Sequence, residues 1–286
     1  MMKRLLILLL LLLMCRYPLL AGNGTGQPQK IRGTYSGIPQ LASGRADLPR
    51  LLAELKDLHA NTYNWLIWRQ ATDWDDLQAF LPMARKAGIR VWVTLVPHSE
   101  SPPHAKHYSE PFRLDFERWA TELAKLSLKE PALVAWSIDD FVHNLKEFTP
   151  AYVGRFTAAA KAINPKLQFI PCCYYRQINA AFSATYQPYL NGILFPYRAE
   201  SVKPNLTDAG QVKAEIDTIK QLFGPSFPVI LDIYATAHSR LGASTPQYVA
   251  DVLKAGIKHA DGVFIYCHQN PVAQPQKYKV IRQGFR

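Results

Sequence analysis

Two acidic side chains stand together where an apolar run closes: Asp139 and Asp140 in LVAWSIDDFVHN, residues 133–144. Neighbouring carboxylates repel and resist losing water, so they are costly at the end of a buried strand unless something there uses them. Two carboxyls in contact titrate as a pair, one ionised while the other keeps its proton near neutral pH. A protonated acid beside an anion is what cleavage of a glycosidic bond requires. A third acid, Asp232 in VILDIY (229–234), sits in another apolar run and offers a nucleophile for a double displacement with Asp140 as acid/base. The structural alternative makes Asp140 a turn or helix cap and ties Asp139 to backbone.

The elements that must position these acids repeat. Apolar, β-rich runs lie at 31–37, 61–68, 89–97, 133–141, 167–175, 191–198, 227–234 and 261–268. Helical stretches fall between them at 47–60, 73–89, 112–128, 149–163 and 245–260, with Thr149-Pro150 and Thr245-Pro246 as starts and Gly88 as a stop. The runs are continuously apolar rather than alternating, as in strands covered on both faces. Eight of them in roughly 255 residues predict an α/β fold, a single (β/α)8 TIM barrel over 31–286. An open doubly wound sheet would carry a Gly-rich phosphate turn after its first strand, and GTYSGIPQ is not one.

In such a barrel the working residues gather at the C-terminal strand ends. Those ends carry Tyr35, Trp68, Arg69, His98, His143, Tyr174, Tyr175, Arg176, Tyr197, Arg198, Tyr234, Tyr266 and His268 beside the three aspartates, whereas the opposite ends are bland. Side-chain alternation puts Ala135, Ser137 and Asp139 on the barrel interior and Val134, Trp136 and Ile138 under the helices. Asp140 joins Asp139 only if the strand ends or bends there. The aromatic rim suits sugar rings, whose C–H faces stack on aromatic faces. Arg69, Arg176, Arg198 and Arg240 follow different strands, and convergence would fit an anionic substituent such as a uronate or sulfate; ordinary surface pairing is the alternative. His98, His104 and His107 match no zinc spacing, so neither a metal nor any other cofactor is expected.

The segments IDDFVHN and HANTYNWLIW resemble glycoside hydrolase family 84, the O-GlcNAcase-type β-N-acetylglucosaminidases, in the Asp-Asp after the fourth strand and the Asn-Thr-Tyr of the second. The resemblance covers roughly residues 31–145. It implies that Asp139 orients the substrate's acetamido group and Asp140 is the acid/base, with Asp232 near the position of a seventh-strand aspartate. The chain departs from that pattern in WLIWRQ, where the family has a lysine, in Asp232-Ile233 for an Asp-Asn pair, and in Phe195-Pro196-Tyr197-Arg198, where a tryptophan is expected. The fourth strand equally resembles other glycosidase-like barrels with a single acid there.

The N-terminus has a basic start, an apolar stretch from Leu5 to Met14 and small residues at Ala21 and Gly22, which predicts a secretory signal at 1–22 and a short linker at 23–30. That implies a secreted or periplasmic protein without a stable membrane span; Cys15 as a lipoprotein cysteine is the minor option. The net charge of +11 favours anionic partners, but no Lys/Arg run or nucleic-acid motif is present. Cys172, Cys173 and Cys267 do not make a disulfide framework. The expected function is an exported glycoside hydrolase; a non-catalytic carbohydrate-binding barrel and a polysaccharide lyase are the alternatives.

Overall fold

The computed structural model describes residues 29–286, so the expected signal segment and most of the linker lie outside the described residues. Strands and helices alternate: β1 (Ile31–Tyr35), α1 (Leu48–Asp57), β2 (Thr62–Ile67), α2 (Asp73–Lys86), β3 (Arg90–Leu95), α3 (Phe116–Lys129), β4 (Leu133–Ile138) and α4 (Pro150–Ile163). They continue through β5 (Gln168–Phe169), α5 (Ala180–Tyr186), β6 (Ile193–Tyr197), α6 (Val212–Phe223), β7 (Val229–Tyr234), α7 (Pro246–His259), β8 (Gly262–Tyr266) and α8 (Pro275–Phe285). The strands run parallel in the order β5-β4-β3-β2-β1-β8-β7-β6. Cys172, just past β5, pairs in parallel with Leu194 of β6, and Cys173 N donates to Leu194 O at 2.9 Å. That contact closes the (β/α)8 barrel. The fifth strand is short because Pro171 has no amide hydrogen to give, so pairing beyond Phe169 continues through single contacts.

Helix starts follow the local chemistry. Asp47, Asp115, Thr149, Asn179 and Thr245 each accept from the backbone N–H three residues on, satisfying a donor that the helix itself cannot. The faces follow strand parity. Trp136 packs on Phe156 of α4, ring centroids 5.4 Å apart, in the layer under the helices. Leu231 faces α7, where a Cβ on Gly256 would meet its side chain at 2.7 Å. Inside the barrel Trp92 of β3 meets Phe264 of β8 at 5.0 Å, and Gly33 supplies the room: a Cβ there would lie 2.4 Å from Phe264. Large rings thus plug the lower barrel. The upper interior is more polar, with Thr94 Oγ1 donating to Asn64 Oδ1 at 2.8 Å and Ser137 and Asp232 nearby in the strands. Among the described residues no helix is long and apolar enough to cross a membrane.

Candidate active site

The site is built on the end of β4. Asp139 still donates its N–H to Leu95 O at 2.9 Å, as a strand residue would. Asp140 then turns into the left-handed region, φ 43° and ψ 32°. Left-handed backbone costs an L-residue about 1–2 kcal/mol, least for Asp and Asn. The turn breaks the pleat, so consecutive carboxyls that alternation would send to opposite faces both reach the mouth.

Their surroundings differ. Asp139 Oδ2 accepts from Tyr35 Oη at 3.0 Å and its Oδ1 accepts the Asp140 N–H at 3.0 Å. Burial first, and then the Asp140 charge, push the Asp139 carboxyl up to about 7, against the partial relief given by Tyr35. Asp140 Oδ1 accepts from Tyr174 Oη at 2.6 Å, and its Oδ2 lies 3.6 Å from His143 Nδ1. His143 stacks on Tyr174 at 4.7 Å and 10°, and the Arg198 guanidinium sits 4.1 Å from the centroid of the same ring. Burial alone would raise Asp140, but His143, Tyr174 and the Arg198 charge outweigh it and hold this carboxyl below the ordinary range. One carboxyl keeps a proton towards neutral pH and its neighbour does not. Tyr174→Phe should therefore move the Asp140 titration upward, read by carboxyl-carbon NMR; an unmoved midpoint would separate Tyr174 from Asp140.

Asp232 faces the interior. It lies in register with Pro196 and Phe264, on the opposite parity from Leu231, and is 3% exposed with Oδ1 unpartnered. Burial and then the Asp139 charge raise it well above the carboxylate range, so it is a neutral group beneath the mouth rather than an anion at its surface. Tyr35, Tyr266 and Tyr234 form a run of rings across β1, β8 and β7, with centroids 5.1 and 5.4 Å apart. Tyr175 is half-buried against Phe195 at 6.3 Å.

Other expected residues lie elsewhere. Tyr197 is buried and locked outside the barrel, donating to Asp208 O at 2.7 Å while its own carbonyl accepts from Tyr248 Oη. Arg176 ties down the loop after β6 through Glu200 O and Val202 O, both at 3.1 Å, and Arg198 is paired with Glu200. Arg198 thus meets a protein acid, while the Arg176 guanidinium meets the backbone of that acid and of its loop. His98 packs against Phe116 and Phe148 behind the mouth. His268 is buried between β1 and α1, bonded to Thr34 Oγ1 at 2.9 Å and Glu54 Oε2 at 2.8 Å. Its removal should cost about 1–3 kcal/mol by leaving two buried groups unpaired. His268→Ala is thus expected to lower Tm, and an unchanged melt would deny the relay a structural role.

Glu100 is a neighbour that the sequence reading did not single out. Its turn, 98–100, is bolted to the turn after β4 by Asn144, whose Nδ2 donates to Ser99 Oγ at 2.8 Å and Asp140 O at 2.9 Å while its Oδ1 accepts from Ser99 N at 3.1 Å. Burial and then the Asp140 charge push the Glu100 carboxyl up. A lone acid in a proline-rich loop gives no spacing signal. Trp68 and Arg69 line an open groove of about 530 Å³ with Gln40, Gln70, Ala105, Lys106 and His107, and a smaller pocket continues from Arg69 to Ser36 and Gly37 at the tip of β1. The aspartate pair borders neither concavity. Among the described residues no group of three or more His, Cys, Asp or Glu side chains is placed to hold a metal ion.

No family model and no curated relative matches this chain. Solved structures do. A GH113 β-1,4-mannanase superposes with a TM-score of 0.63 at 11% identity, over 90% of this chain and 99% of the mannanase. A glucosidase from Croceicoccus marinus gives 0.61 at 14%, over 90% of this chain and 67% of that one. A GH2 β-galacturonidase from Eisenbergiella tayi, bound to galacturonate, gives 0.59 at 16%, over 90% of this chain and 51% of that one. The chain spans about half the galacturonidase, and 31% of a similar β-glucuronidase from Bacteroides uniformis. At these identities the likeness concerns architecture: the chain has the barrel fold found in glycoside hydrolases.

Proposed function

We propose that the protein is an exported glycoside hydrolase whose acid/base chemistry is carried by Asp139 and Asp140. The observation that carries this is the split between them: adjacent carboxyls at one barrel mouth, one raised to about 7 and the other held low. Asp140 lies beside His143 and Tyr174, where a sugar oxygen would arrive. A bound sugar removes water from Asp140 and raises its affinity for the proton. The proton then resides on Asp140 as general acid towards the glycosidic oxygen, leaving Asp139 as the anion behind it. These are the roles that the family 84 resemblance implies, with Asp139, held by Tyr35 and the Asp140 N–H, as the group that orients an acetamido group. The double-displacement alternative needs an ionised, reachable Asp232, and burial works against both.

Tyr266, the partly exposed ring of the run whose other members, Tyr35 and Tyr234, are buried, supports a carbohydrate ligand, and the fold likeness to glycosidase barrels supports cleavage. Two of the similar structures are named for uronic-acid sugars, which supports an acidic substrate. A lyase would want a cationic clamp at the reacting acids, where Arg198 is paired with Glu200 and Arg176 is tied to the loop after β6. The test is a panel of aryl glycosides and acidic polysaccharides, followed by release of the aryl alcohol or new reducing ends. Hydrolysis abolished in Asp140→Asn supports the proposal. Binding without hydrolysis across the panel would instead make this a carbohydrate-binding barrel.

A further inference from the structure

We infer that the groove beside the mouth is a subsite for an anionic saccharide unit, carrying a carboxylate or a sulfate, next to the sugar held at the aspartates. The inference rests on the carbohydrate reading of the mouth and adds to it where the charge of the ligand is read.

The groove brings three basic side chains to one surface: Arg69 at the end of β2, and Lys106 and His107 on the loop after β3. Arg69 and Lys106 take part in none of the ion pairs among the described residues, and no acid lines this groove. The adjoining pocket does contain an acid, Asp73, but its Oδ2 already accepts the backbone N–H groups of Trp68 at 2.9 Å and Gln70 at 3.1 Å. Unpaired cations collected in a concavity hold a local positive potential that an anion relieves. Arg198, by contrast, is paired with Glu200, and the Arg176 guanidinium is taken up by the Glu200 and Val202 carbonyls. Arg69 and Lys106 therefore offer an anion the charge that Arg198 already gives to Glu200.

The groove is also held in shape. Ser109 pins the loop that carries Lys106 and His107, donating to Ile67 O at 2.7 Å and accepting from Val96 N at 2.9 Å, and Ser101 Oγ bonds Pro97 O at 2.8 Å. Trp68 lines the groove and donates its indole N–H to Glu100 O at 3.0 Å. Glu100 is close enough to Asp140 to feel its charge. Trp68 and Glu100 thus link the cationic groove to the turn that carries Asp140. Trp68 offers a ring face to the sugar, while Arg69 and Lys106 meet its acidic substituent with charge-assisted hydrogen bonds.

Calorimetric binding tests this on the purified full-length protein carrying Asp140→Asn to stop turnover. The probes are an oligogalacturonate, a sulfated chondroitin oligosaccharide and a neutral oligosaccharide of similar length. At least one anionic probe should bind more tightly than the neutral one, and Arg69→Ala with Lys106→Ala should weaken that probe by about ten-fold or more. The neutral probe should be unaffected. Which anionic probe responds tells carboxylate from sulfate. Exposed Lys254 and Lys258, far away on α7, provide the control for non-specific attraction to a basic protein. The inference is overturned if the groove variant binds like its parent, if Lys254→Ala with Lys258→Ala loses as much, or if neither anionic probe is preferred. The readout is affinity alone, so it stands or falls separately from hydrolysis.

Discussion

Asp140→Asn should lower turnover of any hydrolysed glycoside by about 10²–10⁴-fold, the usual contribution of a positioned acid/base group, while affinity for the sugar persists. The loss should be largest on substrates with poor leaving groups, because a good leaving group departs without a proton. An aryl series with graded phenol acidity reads this directly. Rates that fall equally across the series would move the acid elsewhere, and Glu100, held beside Asp140 by Asn144, would be the first place to look. Full activity in Asp140→Asn would end the proposal.

Asp139→Asn should have the opposite effect on the fold: a more stable protein that has lost its chemistry. Asp139 has an ordinary value of 3.8 and stands at about 7 when folded. Between those values the unfolded chain is ionised and the folded one keeps its proton, so folding binds a proton and stability declines as pH rises. The cost is absent below the lower value, grows between the two and is complete above about 7. Since each unit corresponds to about 1.4 kcal/mol, removing the charge should restore about 2–4 kcal/mol at pH 8, allowing for the coupling to Asp140. Thermal melts should therefore show a clear gain in Tm at pH 8 and almost none at pH 4. Equal melts at both pH values would mean that Asp139 ionises as freely folded as unfolded.

The barrel and its central acids were legible because strand parity is a local property. Alternation alone set Trp136 under the helices and Asp139 inside, and the need for a bend at Asp140 is met by its left-handed backbone. What parity could not supply was where each strand stops and which acids arrive from afar. The run 261–268 gave no stop signal before His268, yet β8 finishes at Tyr266 and the chain carries His268 over to α1. Tyr197 belongs to a run whose residues are all apolar or aromatic, so nothing in ILFPY marked its outward face. The arginines looked convergent because each follows a strand, but Glu200, a partner with no motif around it, takes up Arg198 and helps to anchor Arg176. Glu100 comes to Asp140 through Asn144, 45 residues from Ser99. Such contacts depend on the closed barrel and leave no periodic trace.

The proposed chemistry depends on a proton divided unequally between two neighbouring carboxyls. Titration of carboxyl-labelled aspartates by NMR measures that division. One resonance should titrate near pH 7 and be missing from Asp139→Asn, and another should titrate below the ordinary carboxylate range and be missing from Asp140→Asn. Two resonances that titrate together in the ordinary range would contradict it.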